Sequence, residues 1–123
     1  AGLGAALKYM LNVGRERIAA HEAELAAYAQ KRLSEMNSIR VFGNAPGKGG
    51  IFSFELEGIH AHDVSMVIDR QGVAVRAGTH CAMPLLKGLG LEGAIRVSLG
   101  LYNDSDDLQR FFEALDQGLE LLR

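Results

Sequence analysis

The only cysteine of the chain, Cys81, lies among residues whose types suit sulfur chemistry. His80 precedes it directly, Arg76 lies on its N-terminal side and Pro84 on its C-terminal side. A thiol attacks as its thiolate, which nearby positive charge or a helix N-terminus favours. Arg76, His80 and a helix that opens at Pro84 are the candidates for supplying that effect. These residue types leave two alternatives open, which are a reactive cysteine on a loop and a small buried cysteine without chemistry.

The residues on either side of Cys81 predict how the backbone presents it. Gly78 can adopt a positive φ and reverse the chain after a strand predicted over residues 73–76. Pro84 suits the first turn of a helix, where its missing N–H would have no partner. We therefore predict a loop between this strand and a short helix, with Cys81 close to the helix entrance.

A second arginine, Arg96, needs a reason for its position in an apolar strand. Residues 94–99 alternate, with Ile95, Val97 and Leu99 on one face and Arg96 on the other. An arginine there either reaches solvent along its aliphatic stem or offers its planar fork to a carboxylate or phosphate. The sequence leaves both possibilities open.

Hydrophobic periodicity predicts the elements that position these residues. Helices are predicted over 2–12, 15–36 and 85–91, with one more that carries Val64 and stops at Gly72, and a last one opened by residues 102–107. Strands are predicted over 39–42, 51–57, 73–76 and 94–99. The acidic residues of 102–107 fit helix caps better than a calcium loop, because the alternating oxygen ligands and the central glycine are missing. This order predicts an α+β fold, a small, mostly antiparallel sheet with packed helices, in one domain.

Composition excludes several classes of partner. The chain has 123 residues, 48% of them hydrophobic, and a formal net charge of -2 without a long block of either sign. We therefore expect no nucleic-acid partner and no membrane partner. A single cysteine cannot form an internal disulfide, and no signal peptide or long apolar run is present, so we expect a cytoplasmic location. The chain starts at Ala1 without an initiator methionine, which fits either processing or a piece of a longer protein.

Other polar residues do not indicate a binding site. His60 and His62 are two residues apart at a helix entrance and do not share a helical face, so no metal site is predicted there. His21 lies among charged residues of a helix and is predicted to be solvated. The glycine-rich loop 43–50 is not a phosphate loop, because no serine or threonine follows its lysine and a strand comes next.

One string of residues resembles a known family. It resembles the C-terminal part of class V aminotransferase-like enzymes, specifically the SufS-type (group II) cysteine desulfurases, in Arg76-Ala77-Gly78-Thr79-His80-Cys81-Ala82-Met83-Pro84, Ile95-Arg96-Val97-Ser98 and Leu101-Tyr102-Asn103. The similarity extends from Gly2 to the end. It implies that residues 1–123 form the small C-terminal domain of a fold-type I pyridoxal-phosphate-dependent transferase, whose large domain lies outside this chain.

The resemblance also implies residue roles. Cys81 would take the sulfur of L-cysteine, leaving L-alanine, and hold it as a persulfide for iron-sulfur cluster assembly or other sulfur transfer through an acceptor protein. Arg96 would pair with the substrate carboxylate, and Arg76 would line the same pocket. His80 would take part in proton transfer. Complete enzymes of this type are homodimers.

The cofactor-binding residues of such an enzyme are missing from this sequence. None of the lysines, Lys8, Lys31, Lys48 and Lys87, stands in the Ser-x-His-Lys context that the family uses for pyridoxal phosphate. We therefore expect the cofactor lysine to lie outside this chain and the isolated chain to be inactive. The alternatives are a free-standing persulfide carrier or protein-interaction module, a structural domain with an unreactive thiol and, within the family, a selenocysteine lyase or a cysteine-sulfinate activity.

Overall fold

The computed structural model describes residues 1–123. Its elements in chain order are α1 (Gly2–Val13), α2 (Arg15–Glu35), β1 (Ile39–Phe42), β2 (Ile51–Leu56), α3 (Ala61–Asp69), β3 (Arg76–Gly78), α4 (Met83–Gly88), β4 (Ala94–Ser98) and α5 (Ser105–Leu122). No helix combines the length and the apolar character needed to cross a membrane.

The four strands form one sheet in the order β1-β2-β4-β3, and all neighbours are antiparallel. The α+β prediction is therefore confirmed. Strand alternation separates two faces, because successive side chains of a strand point in opposite directions. On the inner face, Phe52, Phe54 and Ile95 are almost completely buried against α2, α3 and α5.

The opposite face of the sheet, which we call the outer face, is polar over much of its area. It carries Arg40, Ser53, Glu55, Arg76 and Arg96, as the strand registers require. Helix α4 covers only one part of this face, where a small apolar cluster forms. The remainder of the outer face is left for polar side chains.

Strand β3 begins at Arg76 and not at Val73 as predicted. The N–H of Val73 donates to the carbonyl of Ile68, 3.2 Å away, and so completes the end of α3. Gly72, with a φ of 79°, makes this closure possible. Val73 and Val75 still pack against the core, which explains why their alternation resembled a strand.

Helix α4 spans Met83–Gly88, whereas the sequence predicted residues 85–91. Pro84 lies in its first turn, as expected. Gly90 takes a φ of 76°. The N–H of Leu91 then donates to the carbonyl of Leu86 at 2.8 Å, which ends the helix early.

The start of α5 confirms the predicted capping. Asp104 is the N-cap, and its Oδ1 accepts from the N–H of Asp107 at 3.0 Å. Asp107 Oδ2 accepts in return from the N–H of Asp104 at 3.3 Å and from Nδ2 of Asn103 at 3.1 Å. The hydrogen bond from Asn103, followed by that from the Asp104 backbone, holds the pKa of Asp107 below its usual value.

The prediction that His21 is solvated was wrong. Its Nε2 lies 2.6 Å from the carbonyl oxygen of Asn103, and the ring is half-buried. The two residues are 82 positions apart in sequence. His21 therefore ties α2 to the loop before α5, a contact that only the folded chain creates.

Candidate active site

Two arginines lie directly opposite each other on the outer face. The register of β3 and β4 pairs Arg76 with Arg96, and the register of β2 and β4 pairs Arg96 with Ser53. Side chains at such antiparallel positions point to the same face, with Cβ atoms roughly 4.5–5.5 Å apart. The sheet thus brings both guanidinium groups, which are 20 positions apart in sequence, to one edge of the outer face.

Neither of these arginines has an acidic partner. The one side-chain ion pair of the chain joins Arg40 and Glu55 at 3.2 Å, elsewhere on the same face. Arg96 is half-buried, and its Nε is buried without a hydrogen-bond partner. An unpaired buried donor is costly, so this fork is suited to bind an anion with planar geometry, such as a carboxylate.

Cys81 follows β3 on a sharply turned loop. Gly78 ends the strand with a φ of 126°, as the sequence predicted, and His80 and Cys81 both adopt left-handed backbone with φ of 53° and 58°. Such values are strained for residues with a Cβ atom and occur frequently at functional sites. The thiol is free and exposed. The loop position of Cys81 is confirmed, and the alternative of a buried cysteine is wrong.

His80 binds the neighbouring strand. Its Nε2 lies 2.9 Å from the carbonyl oxygen of Ala94, in β4, and its Nδ1 is buried without a partner. Ala94 is also the residue that pairs with Gly78 across the sheet. The ring therefore connects the Cys81 loop to the strand that carries Arg96.

A cavity of about 500 Å³ lies between α4 and the outer face. His80, Arg96 and Ser53 supply polar groups to its wall, and the remainder is largely apolar, from Phe42, Ala82, Leu85, Leu86 and Leu89. Cys81 and Arg76 are not part of the wall, although Cys81 stands between two residues that are. The structure thus brings His80 and Arg96 to one cavity and leaves the thiol of Cys81 exposed outside the cavity wall.

The lysines of the chain do not fit a pyridoxal phosphate site. Lys8, Lys31 and Lys87 are exposed, and none of them lines the cavity, although Lys87 belongs to α4. Lys48 is half-buried, and burial lowers its pKa. Its Nζ, however, donates to the carbonyl of Phe42 at 3.3 Å and lies 4.5 Å from the ring centroid of Phe52, so it fastens the loop 43–50.

The remaining histidines have a local structural role. His60 is the N-cap of α3, and its Nδ1 accepts from the N–H of His62 at 3.3 Å. The residue that sequence reasoning missed is Ser53. Its polar position in an alternating strand was visible in the sequence, but its place beside Arg96 follows from the strand register.

Comparisons with known proteins agree on one family. The aminotransferase class V family matches residues 1–111. A probable cysteine desulfurase of Pseudomonas putida is 60% identical over 99% of the chain, which covers 30% of that relative. A cysteine desulfurase of Haloferax volcanii is 42% identical over 98% of the chain, which covers 28% of that relative.

Solved structures give the same result. The crystal structure of the cysteine desulfurase CsdA from Escherichia coli superposes with a TM-score of 0.90 at 32% identity, over 99% of this chain and 30% of that one. A cysteine desulfurase from Thermococcus onnurineus superposes with a TM-score of 0.87 at 32% identity, over 98% of this chain and 30% of that one. The chain spans about 30% of the length of these two desulfurase relatives, from Pseudomonas putida and Haloferax volcanii.

Proposed function

The chain belongs to the class V aminotransferase family, and on that premise we propose that it is the small C-terminal domain of a SufS-type (group II) cysteine desulfurase. The observation that carries the proposal is the facing pair of Arg76 and Arg96, without acidic partners, together with the exposed thiol of Cys81 on the loop that follows β3. This arrangement offers both an anion-binding group and a nucleophile to one small molecule.

In this proposal Cys81 is the sulfur acceptor. Its thiolate attacks the sulfur of L-cysteine, so that an S–S bond forms as the substrate C–S bond breaks. The bonding electron pair leaves with the carbon skeleton, which takes up a proton and becomes L-alanine. Cys81 keeps the sulfur as a persulfide. Because the loop is exposed, a sulfur-acceptor protein can then approach it.

Arg96 is the proposed carboxylate anchor. It stands on a central strand, its Nε has no partner within the chain, and a guanidinium binds a carboxylate through two parallel hydrogen bonds. Arg76 lies opposite on the edge strand and adds positive charge to the same site. Anchor and nucleophile thus lie on neighbouring segments, one rigid and one a loop.

The rest of the enzyme supplies the cofactor. Enzymes of this family use pyridoxal phosphate, which provides the electron sink for breaking the C–S bond. Its lysine would belong to the large domain, outside this chain. Helix α1, which has no buried residue and exposes 75% of Leu3 and 65% of Leu11, is suited to be covered by the remainder of a full-length homodimer. A free exposed thiol suits a reducing compartment, so we place the enzyme in the cytoplasm.

Mass spectrometry of the full-length enzyme tests the proposal. After incubation with L-cysteine labelled at sulfur, we expect the peptide containing Cys81 to gain one labelled sulfur atom and to lose it on reduction. Cys81→Ser should abolish this gain. The 123-residue chain alone should neither bind pyridoxal phosphate productively nor release sulfide from L-cysteine.

Arg96→Lys tests whether Arg96 binds the substrate carboxylate through two parallel hydrogen bonds or only through its positive charge. Lysine keeps the positive charge but cannot form the bidentate pair, so KM for L-cysteine should rise in the full-length enzyme. Labelled sulfur on another residue, or none on Cys81 in an enzyme that still forms L-alanine, would contradict the assignment.

A further inference from the structure

The hydrogen bond of His80 determines which ring nitrogen carries hydrogen. A carbonyl oxygen only accepts, so the 2.9 Å contact with Ala94 requires the hydrogen on Nε2. Nδ1 is enclosed without a partner, and no hydrogen bond joins either ring nitrogen to Cys81. This geometry suits a ring that holds the loop against β4, and it does not suit a ring that exchanges protons with the exposed thiol.

The hydrogen bond of His80 holds a part of the backbone that is strained. His80 and Cys81 are consecutive residues in the left-handed region, which side chains with a Cβ atom disfavour. Such a conformation persists only where surrounding contacts hold it. Within the loop, the N–H of Ala82 donates to the carbonyl of Thr79 at 2.9 Å, and the His80 ring adds the bond to β4.

We propose that His80 is a positioning residue, which holds the Cys81 loop against β4 so that the thiol keeps a constant place relative to Arg96. Ala94 and Arg96 belong to the same strand and point to the same face, two residues apart. One hydrogen bond to Ala94 therefore fixes the position of the Cys81 loop relative to β4, the strand that carries Arg96. The importance of this spacing for sulfur transfer rests on the proposed function, whereas the anchoring itself does not.

A pair of substitutions separates positioning from proton transfer. The terminal amide of glutamine can donate to the Ala94 carbonyl as Nε2 does, but it does not titrate. His80→Gln should therefore retain the alkylation rate of Cys81 by iodoacetamide, with the same dependence on pH as the wild-type chain. Because Cys81 is the only cysteine, this rate belongs to it alone.

His80→Ala removes the donor. Loss of one net hydrogen bond corresponds to about a 2- to 10-fold change in the equilibrium for loop opening. We expect the amide hydrogen of Ala82, which bonds within the loop, to exchange faster by about that factor. His80→Gln should show wild-type exchange, and amides in the core strands, such as that of Phe54, should exchange as in the wild type in both variants.

Nitrogen-15 NMR of the imidazole in the wild-type chain gives an independent result. The ring shifts should show hydrogen on Nε2. Hydrogen on Nδ1 alone, with none on Nε2, would overturn the proposal, even if His80→Ala failed to fold. A His80→Gln variant in which the Ala82 amide exchanged as fast as in His80→Ala, or in which the alkylation of Cys81 changed its pH dependence, would also overturn it. None of these measurements uses L-cysteine, so failure of the labelling experiment leaves them interpretable.

Discussion

Replacing Arg76 by glutamine is expected to raise the free energy of unfolding of the chain. It is also expected to slow the alkylation of Cys81 by a reagent that carries a carboxylate. Arg76 and Arg96 face each other across neighbouring strands, and no acid neutralises either. Like charges about 6 Å apart near a surface repel by about 0.7–1.4 kcal/mol at a dielectric constant of about 40–80. Directly opposed like charges on strands cost roughly 0.2–1 kcal/mol. Since Arg76 is exposed, we expect the lower range, a gain of about 0.2–1 kcal/mol in the free energy of unfolding.

Urea denaturation measures this gain directly. This gain in the free energy of unfolding should raise the midpoint of thermal unfolding by about 1–5 °C for a domain of this size. Added salt screens the repulsion, so the difference between Arg76→Gln and the wild-type chain should shrink as ionic strength increases.

Alkylation of Cys81 measures how strongly Arg76 attracts a reagent that carries a carboxylate. Iodoacetate carries a carboxylate and iodoacetamide does not, so the ratio of their rates at Cys81 reports attraction by the two guanidinium groups. An exposed ion pair contributes about 0.2–1 kcal/mol, which is about a 1.4- to 5-fold effect on this ratio. Arg76→Gln should lower the ratio by a factor in that range.

Arg40→Gln is the matched control. It removes the same charge from the same face of the sheet, but Arg40 is paired with Glu55 at 3.2 Å. We therefore expect no gain in stability and an unchanged rate ratio. The reasoning fails if Arg76→Gln lowers stability more than Arg40→Gln does, or if the two variants change the ratio equally.

Three further predictions concern the scaffold. Leu115→Ala, at a side chain with 0% exposure, should lower the free energy of unfolding by about 2–5 kcal/mol in urea denaturation, because it leaves a cavity in the core. Asp104→Ala removes the N-cap of α5 and should cost about 0.5–2 kcal/mol by the same measurement, with Ser105→Ala as a control that keeps the cap. The pKa of Asp107 is lowered in the folded chain by hydrogen bonds from Asn103 and the Asp104 backbone, so the unfolded chain binds more protons in acid. Its contribution is therefore present above the ordinary value of 3.8 and lost as pH falls through the folded pKa; Asp107→Asn should flatten the acid part of the stability profile, and a profile with unchanged slope would contradict this.

Much of the site was accessible from local sequence. Gly78 and Pro84 predicted the turn and the helix entrance on either side of Cys81, because glycine and proline act through their own backbone geometry. The α+β class followed from periodicity. The bounds of β3 were predicted incorrectly, since Val73 has the side chain of a strand residue but its N–H completes α3. Hydrophobic pattern reports burial and does not report which partner takes a backbone hydrogen bond.

The sequence by itself determined which residue types could act on sulfur and which side chains of each strand face the core, since the period of two is a property of the strand alone. Only the tertiary structure decided that Arg76 stands opposite Arg96, that Ser53 completes the row, and that His80 bonds to Ala94. These contacts depend on strand register and on how a loop returns to the sheet. Both are set by packing between segments distant in the chain, so no local pattern encodes them.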